Sequence, residues 1–162
     1  KICERAPKLS DTITHANSAI AADAASFVVL VSELFLKNKM CKGVEVLGSG
    51  TSGVIPEEAP LAPVGAIKAL LDQTEISLSN VAFIELMEAY AAQAILCTRL
   101  CGLDSDKINI RGGALSRGHP IGASGAILVV RLFNELIKTP GASGMAAIAA
   151  AGGIGSAMML KS

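Results

Sequence analysis

Residues 112–125 read Gly112-Gly113-Ala114-Leu115-Ser116-Arg117-Gly118-His119-Pro120-Ile121-Gly122-Ala123-Ser124-Gly125 and contain one of the two histidines of the chain. Pro120 suits the first position of a helix, because its missing N–H would be unpaired there in any case. His119 would then lie at the helix N-terminus, where the helix dipole disfavours the imidazolium and keeps a neutral ring available as a base or a hydrogen-bond donor. Taken alone, a histidine in such a position is more often a buried capping residue than a catalytic one.

Strands and helices alternate on both sides of this stretch, which predicts an α/β domain with its sheet between two helical layers. Residues 1–24 are expected to form a lead-in segment with a short helical turn near Asp23, and residues 25–162 a single domain. Strands are predicted at residues 26–31, 43–47, 81–86, 145–150 and 156–160, with a short strand or extended piece at 107–110. Helices are predicted at residues 33–40, 62–71, 88–100 and 120–138, the last one apolar on nearly every side and therefore buried.

Composition excludes several classes of function. The 162 residues are 51% apolar and 17% charged, which is typical of a chain that folds around a core. A net charge of zero and an aromatic content of 3% give no basis for binding nucleic acid or an anionic membrane surface. Residues 139–160 carry no charge and are long enough to cross a bilayer, but their Ala and Gly content favours a pair of buried strands.

The four cysteines, Cys3, Cys41, Cys97 and Cys101, lack the spacing of a zinc site or a disulfide framework. We therefore expect no metal and a reducing compartment, such as the cytoplasm. Cys97 and Cys101 lie four residues apart on one face of a predicted helix and are interpreted as small buried apolar residues rather than as a ligand or redox pair. The chain begins with Lys1 and no signal peptide, which is expected of an internal cut.

Gly48-Ser49-Gly50-Thr51-Ser52-Gly53 follows a predicted strand and matches the glycine pattern of dinucleotide-binding loops. That motif requires a helix to begin at once, so that the helix N-terminus meets the pyrophosphate. Pro56 and Pro60 prevent such a helix. The pattern is therefore interpreted as a chance match.

The stretch around His119 resembles the Gly-Gly-Ala…Gly-His-Pro-Ile-Gly-Ala-Ser-Gly signature of thiolases, the acyl-CoA acyltransferases. Residues 88–93, Glu-Ala-Tyr-Ala-Ala-Gln, are similar to the family's Asn-Glu-Ala-Phe-Ala-Ala-Gln motif. Residues 102–109 resemble its link into the histidine motif, and residues 144–155 its closing hairpin. The resemblance runs from about residue 12 to the end of the chain and points to the C-terminal half of a thiolase.

The resemblance implies a three-layer α-β-α domain with a five-stranded mixed sheet, one of two similar halves of a subunit. In the family, a nucleophilic cysteine of the N-terminal half takes the acyl group from a coenzyme A (CoA) thioester. His119 would activate that cysteine and help hold the thioester oxygen. The implied partners are an N-terminal thiolase half in the same or another chain, acyl-CoA as substrate without a further cofactor, and a second copy in a homodimer or higher homo-oligomer.

The sequence departs from the family at several positions of the implied site. Ala149 replaces the second cysteine, which moves a proton at the α-carbon, and Met87 replaces the asparagine that positions an oxyanion-hole water. Ala151 replaces a hairpin glycine whose N–H serves the second oxyanion hole. The remaining substrate-binding positions implied by the resemblance are Ala19, Tyr90, Gly118 and Pro120, and Ala19 falls in the altered form of the family's Asn-Ala-Ser-Gly motif.

These departures leave two hypotheses of different classes. In the first, the chain is the C-terminal domain of a thiolase-like acyltransferase whose condensing activity is impaired. In the second, it is a non-catalytic scaffold, dimerisation or partner subunit that retains the thiolase fold. An ordinary active thiolase is a weaker alternative, and an engineered exchange of cysteine for Ala149 would not account for Met87 and Ala19.

Overall fold

The structure is a computed structural model that describes residues 12–162. Its centre is a mixed sheet of four strands in the order β1-β4-β3-β2. Strand β2 pairs parallel to β3, whereas β4 runs antiparallel to both β3 and β1. The strands are β1 (Glu45–Gly53), β2 (Val81–Leu86), β3 (Ser143–Ala150) and β4 (Ile154–Lys161).

Helices cover both faces of this sheet, which confirms the predicted α-β-α layering. The helices are α1 (Glu33–Lys39), α2 (Ala62–Thr74), α3 (Ala91–Cys101), the short α4 (Ala114–Arg117) and α5 (Ser124–Leu136). On one face, Ile67 and Leu70 of α2 and Cys97 of α3 pack with sheet residues such as Met145. On the other face, α5 packs through Leu128, Leu132 and Leu136.

The sheet has four strands within residues 12–162, where the resemblance implied five. Residues 107–110, predicted as a short strand or extended piece, reach the sheet through a single parallel bridge between Ile108 and Ile84. Asn109 follows with a φ of 47°, in the left-handed region. Extended backbone therefore ends after one bridging residue, and no full fifth strand forms there.

The strand predicted at residues 26–31 is wrong for the described structure. These residues have no regular secondary structure, and the side chains of Phe27, Val29 and Leu30 are 85%, 82% and 80% exposed. A β-branched run forms a strand only when a neighbouring strand and an apolar layer cover it, and nothing in residues 12–162 does so. The helical turn expected near Asp23 is also absent. Residues 1–11 of the predicted lead-in lie outside the described residues.

The helix predicted from Pro120 begins four residues later, at Ser124. Residues 121–123 form a turn in which the carbonyl of Pro120 accepts hydrogen bonds from the N–H groups of Ala123 and Ser124, both 2.9 Å long. The helix is also buried on one face only, rather than on all sides. The prediction for α3 was closer: the helix begins at Ala91 and ends, as expected, at Gly102 with a φ of 64°.

The glycine-rich residues 48–53 lie inside β1, so the structure agrees that they form no phosphate loop. The next segment is a 3-10 helix, Pro56–Leu61. Gly50 has a packing role, because a Cβ at this position would overlap the carbonyl of Ala66 in α2. In residues 12–162, no helix is both long and apolar enough to span a membrane.

Candidate active site

His119 lies in an extended loop between α4 and α5. Its backbone N–H donates to the carbonyl of Ile20 over 2.7 Å, and the residue forms a parallel bridge with Ala21. Gly118 precedes it with a φ of 94°, and a Cβ there would press on Ala22. The close approach of these two segments therefore requires glycine at position 118.

The imidazole of His119 is held by the first turn of α5. Its Nδ1 lies 2.8 Å from Oγ of Ser124, whose side chain is buried. Nε2 has no hydrogen-bond partner in residues 12–162. Every buried side-chain nitrogen in that range has a partner, so Nε2 is not buried and is open to solvent. Burial lowers the pKa of His119 below its ordinary value. The ring is therefore neutral at pH 7, and burial is the cause rather than the helix dipole that the sequence suggested.

His119 lies between two open clefts. The smaller, of about 200 Å³, is lined by His119 together with Ala19, Tyr90 and three neighbouring residues. The larger, of about 590 Å³, lies between residues 21–27 and the turn that includes Pro120. The structure brings Ala19, Tyr90 and His119 together at this cleft, and the N–H of Ala19 donates to the carbonyl of Ala89 just before Tyr90.

Besides Gly118, three of the sequence-derived positions do not line either cleft. Met87 is 3% exposed in the apolar cluster beneath α5, and its N–H donates to the carbonyl of Ala147 over 2.9 Å. Ala149 lies near the end of β3 opposite Gly155, and Ala151 is exposed in the turn that follows. The apolar side chain of Met87 cannot hold a water, and the methyl group of Ala149 cannot exchange a proton.

Glu88 and Asn109 position the loop that carries His119, and the sequence reasoning did not single out either of them. The side chain of Asn109 bonds both backbone groups of Leu86, at 2.9 and 2.8 Å, and donates to Glu88 Oε1 over 2.6 Å. Glu88 Oε2 accepts the N–H of Leu115 in α4 over 3.2 Å. The end of β2 is thus tied to the short helix before His119. The signal available in the sequence was the acidic Glu88, which lies in a motif at the start of a predicted helix.

A buried ion pair ties α5 to the same loop. Arg131 Nε lies 2.8 Å from Glu85 Oε2 of β2, and Arg131 Nη2 donates to the carbonyl of Gly112 over 2.7 Å. Burial raises the pKa of Glu85, and the hydrogen bond from Arg131 partly opposes that rise. The loop is therefore anchored from the sheet and from the helix that contacts the ring of His119.

None of the described cysteines lies against His119. Cys97 is fully buried, with its sulfur 3.4 Å from Gln93 Nε2. Burial raises the pKa of Cys97, and it raises that of Cys101 to about 11. Both are therefore protonated thiols at pH 7. Cys97 is buried as predicted, whereas Cys101 is only half-buried. Cys41 is exposed beyond α1. No group of three or more potential metal ligands occurs within residues 12–162.

The model of the thiolase C-terminal domain family matches residues 41–162. The chain therefore belongs to the thiolase family. A Bacillus subtilis relative named "Putative acetyl-CoA C-acetyltransferase YhfS" is 40% identical over 94% of this chain and 42% of its own length. The cytosolic acetyl-CoA acetyltransferase of Rattus norvegicus is 36% identical over 93% of this chain and 38% of its own.

The solved structures agree with the sequence relatives. The Acat5 thiolase of Ascaris suum, determined in complex with coenzyme A, superposes with a TM-score of 0.85 at 33% identity. The match covers 97% of this chain and 42% of that one. The α/β fold is thus that of thiolases. The chain spans about two fifths of the length of the relatives that it matches.

Proposed function

We propose that this chain is the C-terminal part of a thiolase-like acyl-CoA acyltransferase that acts on CoA thioesters. In this proposal His119 serves a nucleophilic cysteine that an N-terminal thiolase half supplies, from the same or another chain. The observation that carries the proposal is the neutral ring of His119, held at Nδ1 and open at Nε2, in a cleft with Ala19 and Tyr90. The CoA thioester is the substrate, and the chemistry needs no further cofactor.

Two observations support the need for a second half. The described cysteines are unsuited to attack, since Cys97 and Cys101 have raised pKa values and no cysteine lines either cleft of residues 12–162. The exposed apolar side chains of residues 27–31 also need a cover, and the relatives are more than twice as long as this chain. The free thiols Cys41, Cys97 and Cys101 suit a reducing compartment such as the cytoplasm.

The chemistry of the first acyl step follows from the properties of the ring. The thiol of the partner half gives up its proton and attacks the thioester carbonyl, the bond from that carbon to the CoA sulfur breaks, and the CoA sulfur takes up that proton and leaves as the free thiol. A neutral imidazole can take a thiol proton through its unprotonated nitrogen or donate to the developing oxyanion through its protonated one, so the tautomer decides which role the cleft-facing nitrogen has. The condensing step is impaired in our proposal, because Ala149 cannot move the α-proton and Met87 cannot hold a water. Loss of one acid/base group costs about 10²–10⁴ in rate.

Replacing the histidine tests the proposal. In a protein that contains both halves, His119→Ala should slow formation of the acyl-enzyme from acetyl-CoA by about 10²–10⁴-fold. Mass spectrometry of the acylated cysteine measures this rate. His15→Ala, which removes the exposed second histidine, is the matched control and should leave the rate unchanged. Equal rates for the His119→Ala variant and the unaltered protein would refute the proposed role.

The impairment has its own test. Ala149→Cys should raise acetoacetyl-CoA thiolysis by at least about 10-fold if the missing acid/base group limits the rate. The half-exposed position accommodates a sulfur, and Ala150→Cys places the same group on the opposite face of β3 as a control. Normal thiolysis by the unaltered protein would show that other residues replace the lost groups and would contradict the proposed impairment.

The second candidate function is a non-catalytic thiolase-fold scaffold, a dimerisation or partner subunit. The observation that favours it is the combination of Met87 and Ala149 with the exposed apolar side chains of residues 27–31. This candidate requires a stable complex, either with a second copy or with a thiolase half. A monomer at micromolar concentration that binds no thiolase half in sedimentation experiments would refute it.

A further inference from the structure

Ser124 makes two hydrogen-bond contacts at the ring of His119. Its Oγ lies 2.8 Å from Nδ1 of His119 and 3.0 Å from the carbonyl oxygen of Pro120. The residue is only 4% exposed, so bulk water does not compete for the hydroxyl. A serine hydroxyl carries one proton and can donate to only one of these two atoms at a time.

The carbonyl of Pro120 is already satisfied without the hydroxyl. It accepts the N–H groups of Ala123 and Ser124, both over 2.9 Å, and a carbonyl oxygen has two lone pairs. Nδ1 has no other partner within residues 12–162 and lies closer to Oγ. The better acceptor for the single proton of Ser124 is therefore Nδ1, provided that Nδ1 carries no proton itself.

We propose that Ser124 donates to Nδ1 and thereby fixes His119 as the tautomer that carries its proton on Nε2. If the proton were on Nδ1 instead, the hydroxyl of Ser124 would have to donate to the carbonyl oxygen of Pro120, which already accepts two N–H groups. Ser124 is thus a positioning residue that acts through His119. The catalytic consequence rests on the proposed function: the resting ring presents an N–H to the cleft, and this N–H can donate to the oxygen of a bound thioester.

Nuclear magnetic resonance tests the tautomer without any activity measurement. The 162-residue chain is labelled with ¹⁵N-histidine and studied at a pH about one unit above the ordinary histidine pKa. A His15→Gln variant identifies the signals of His119, the other histidine. We expect an unprotonated Nδ1 and a protonated Nε2. A protonated Nδ1 in the unaltered chain would overturn the proposal, whatever the variants show.

Variants separate the tautomer role from simple packing. Ser124→Ala should convert His119 to a mixture of both tautomers, whereas Ser124→Thr keeps the hydroxyl and should keep the Nε2–H form. Ser116→Ala is the matched control, because its hydroxyl donates to the carbonyl of Gly113 over 2.8 Å and not to the ring. A pure Nε2–H tautomer in Ser124→Ala would refute the role of Ser124.

The kinetic consequence is measured in the protein with both halves. Ser124→Ala should lower the maximal rate of acyl-enzyme formation by about 10-fold with an unchanged half-saturating acetyl-CoA concentration, and Ser124→Thr should restore it. A rise in the half-saturating concentration at an unchanged maximal rate would contradict the kinetic role. If the unaltered protein forms no acyl-enzyme, the proposed function fails, while the NMR result still decides the tautomer.

Discussion

At the scale of single residues, the site depends on side chains that never reach the cleft. Glu88 bridges Asn109 and the start of α4, and it occupies the space in which a Cβ on Gly113 would lie. The carboxylate cannot move aside without losing both hydrogen bonds. The His119 loop therefore requires a residue without a side chain at position 113, so that the carboxylate of Glu88 can keep its place.

Gly113→Ala should consequently destabilise the chain by about 1–3 kcal/mol, the usual cost of overpacking. Urea unfolding followed by circular dichroism measures the change. Gly122→Ala is the matched control in the same loop, since a Cβ at Gly122 meets nothing within 4 Å. We expect the control to remain within about 0.5 kcal/mol of the parent. Equal stability of the two variants would show that Glu88 yields without cost.

The thiols provide a second residue-scale prediction. With a pKa of about 11, only about one thousandth of Cys101 is thiolate at pH 8. In a Cys3→Ser background, iodoacetamide at that pH should modify the exposed Cys41 at least about 100-fold faster than Cys97 or Cys101, as measured by peptide mass spectrometry. The difference should disappear in denaturant. Similar folded-state rates for all three thiols would contradict the burial described for α3.

At the scale of elements, an ion pair between Arg131 and Glu85 joins α5 to β2 across the layer interface. The side chains of Arg131 and Glu85 are 19% and 4% exposed. Removing one member of such a buried pair leaves the other desolvated and without a counter-charge. The pair of Arg111 with Glu135 differs, because the side chain of Arg111 is 64% exposed and is therefore not desolvated.

Arg131→Met should therefore cost about 3–5 kcal/mol near neutral pH, whereas Arg111→Met should cost about 0–1 kcal/mol. The loss should also depend on pH. Without Arg131, the raised pKa of Glu85 rises further, so the folded state holds its proton more tightly than the unfolded state does. The variant should be most stable below the ordinary glutamate pKa and lose stability as pH rises through the folded-state pKa. Urea midpoints from pH 4 to 8 that show the reverse trend would refute this linkage.

At the scale of the whole molecule, residues 27–31 form a contiguous exposed apolar segment. The side chains of residues 27–31 lie outside both core clusters, while the relatives extend well beyond this chain. Contiguous exposed apolar surface marks an interaction site or an aggregation liability. In the proposed full protein, the N-terminal half covers it.

Substituting Phe27, Val29 and Leu30 together by serine should leave the free energy of unfolding of the chain unchanged within about 1 kcal/mol, because these residues are 80% to 85% exposed. The same variant should lose at least about 10-fold in affinity for an N-terminal thiolase half, measured by sedimentation. Ile55→Ser is the control, because Ile55 is also an exposed apolar residue, at 59%, but lies next to the 3-10 helix rather than in residues 27–31. Unaltered affinity in the triple variant would exclude this segment from the interface.

Much of the fold was predictable from local patterns. Apolar periodicity located α2 and β2 with little or no error, because those elements are buried by neighbours in this same chain. Gly102 marked the end of α3, since a left-handed residue is required there. The Gly-His-Pro stretch identified the thiolase family, and the family match at residues 41–162 confirms it.

The sequence by itself determined the layering and the family, because these follow from periodicity and from a long motif, and it singled out His119 as a candidate site residue. Only the tertiary structure decided that residues 26–31 form no strand, since pairing depends on a partner strand that no local pattern reveals. It also decided the delayed start of α5, the Glu88–Asn109 and Glu85–Arg131 contacts and the hydrogen bond from Ser124 to the ring. Those contacts join residues that the sequence separates or whose side-chain directions it leaves open, and they determine how the histidine is held.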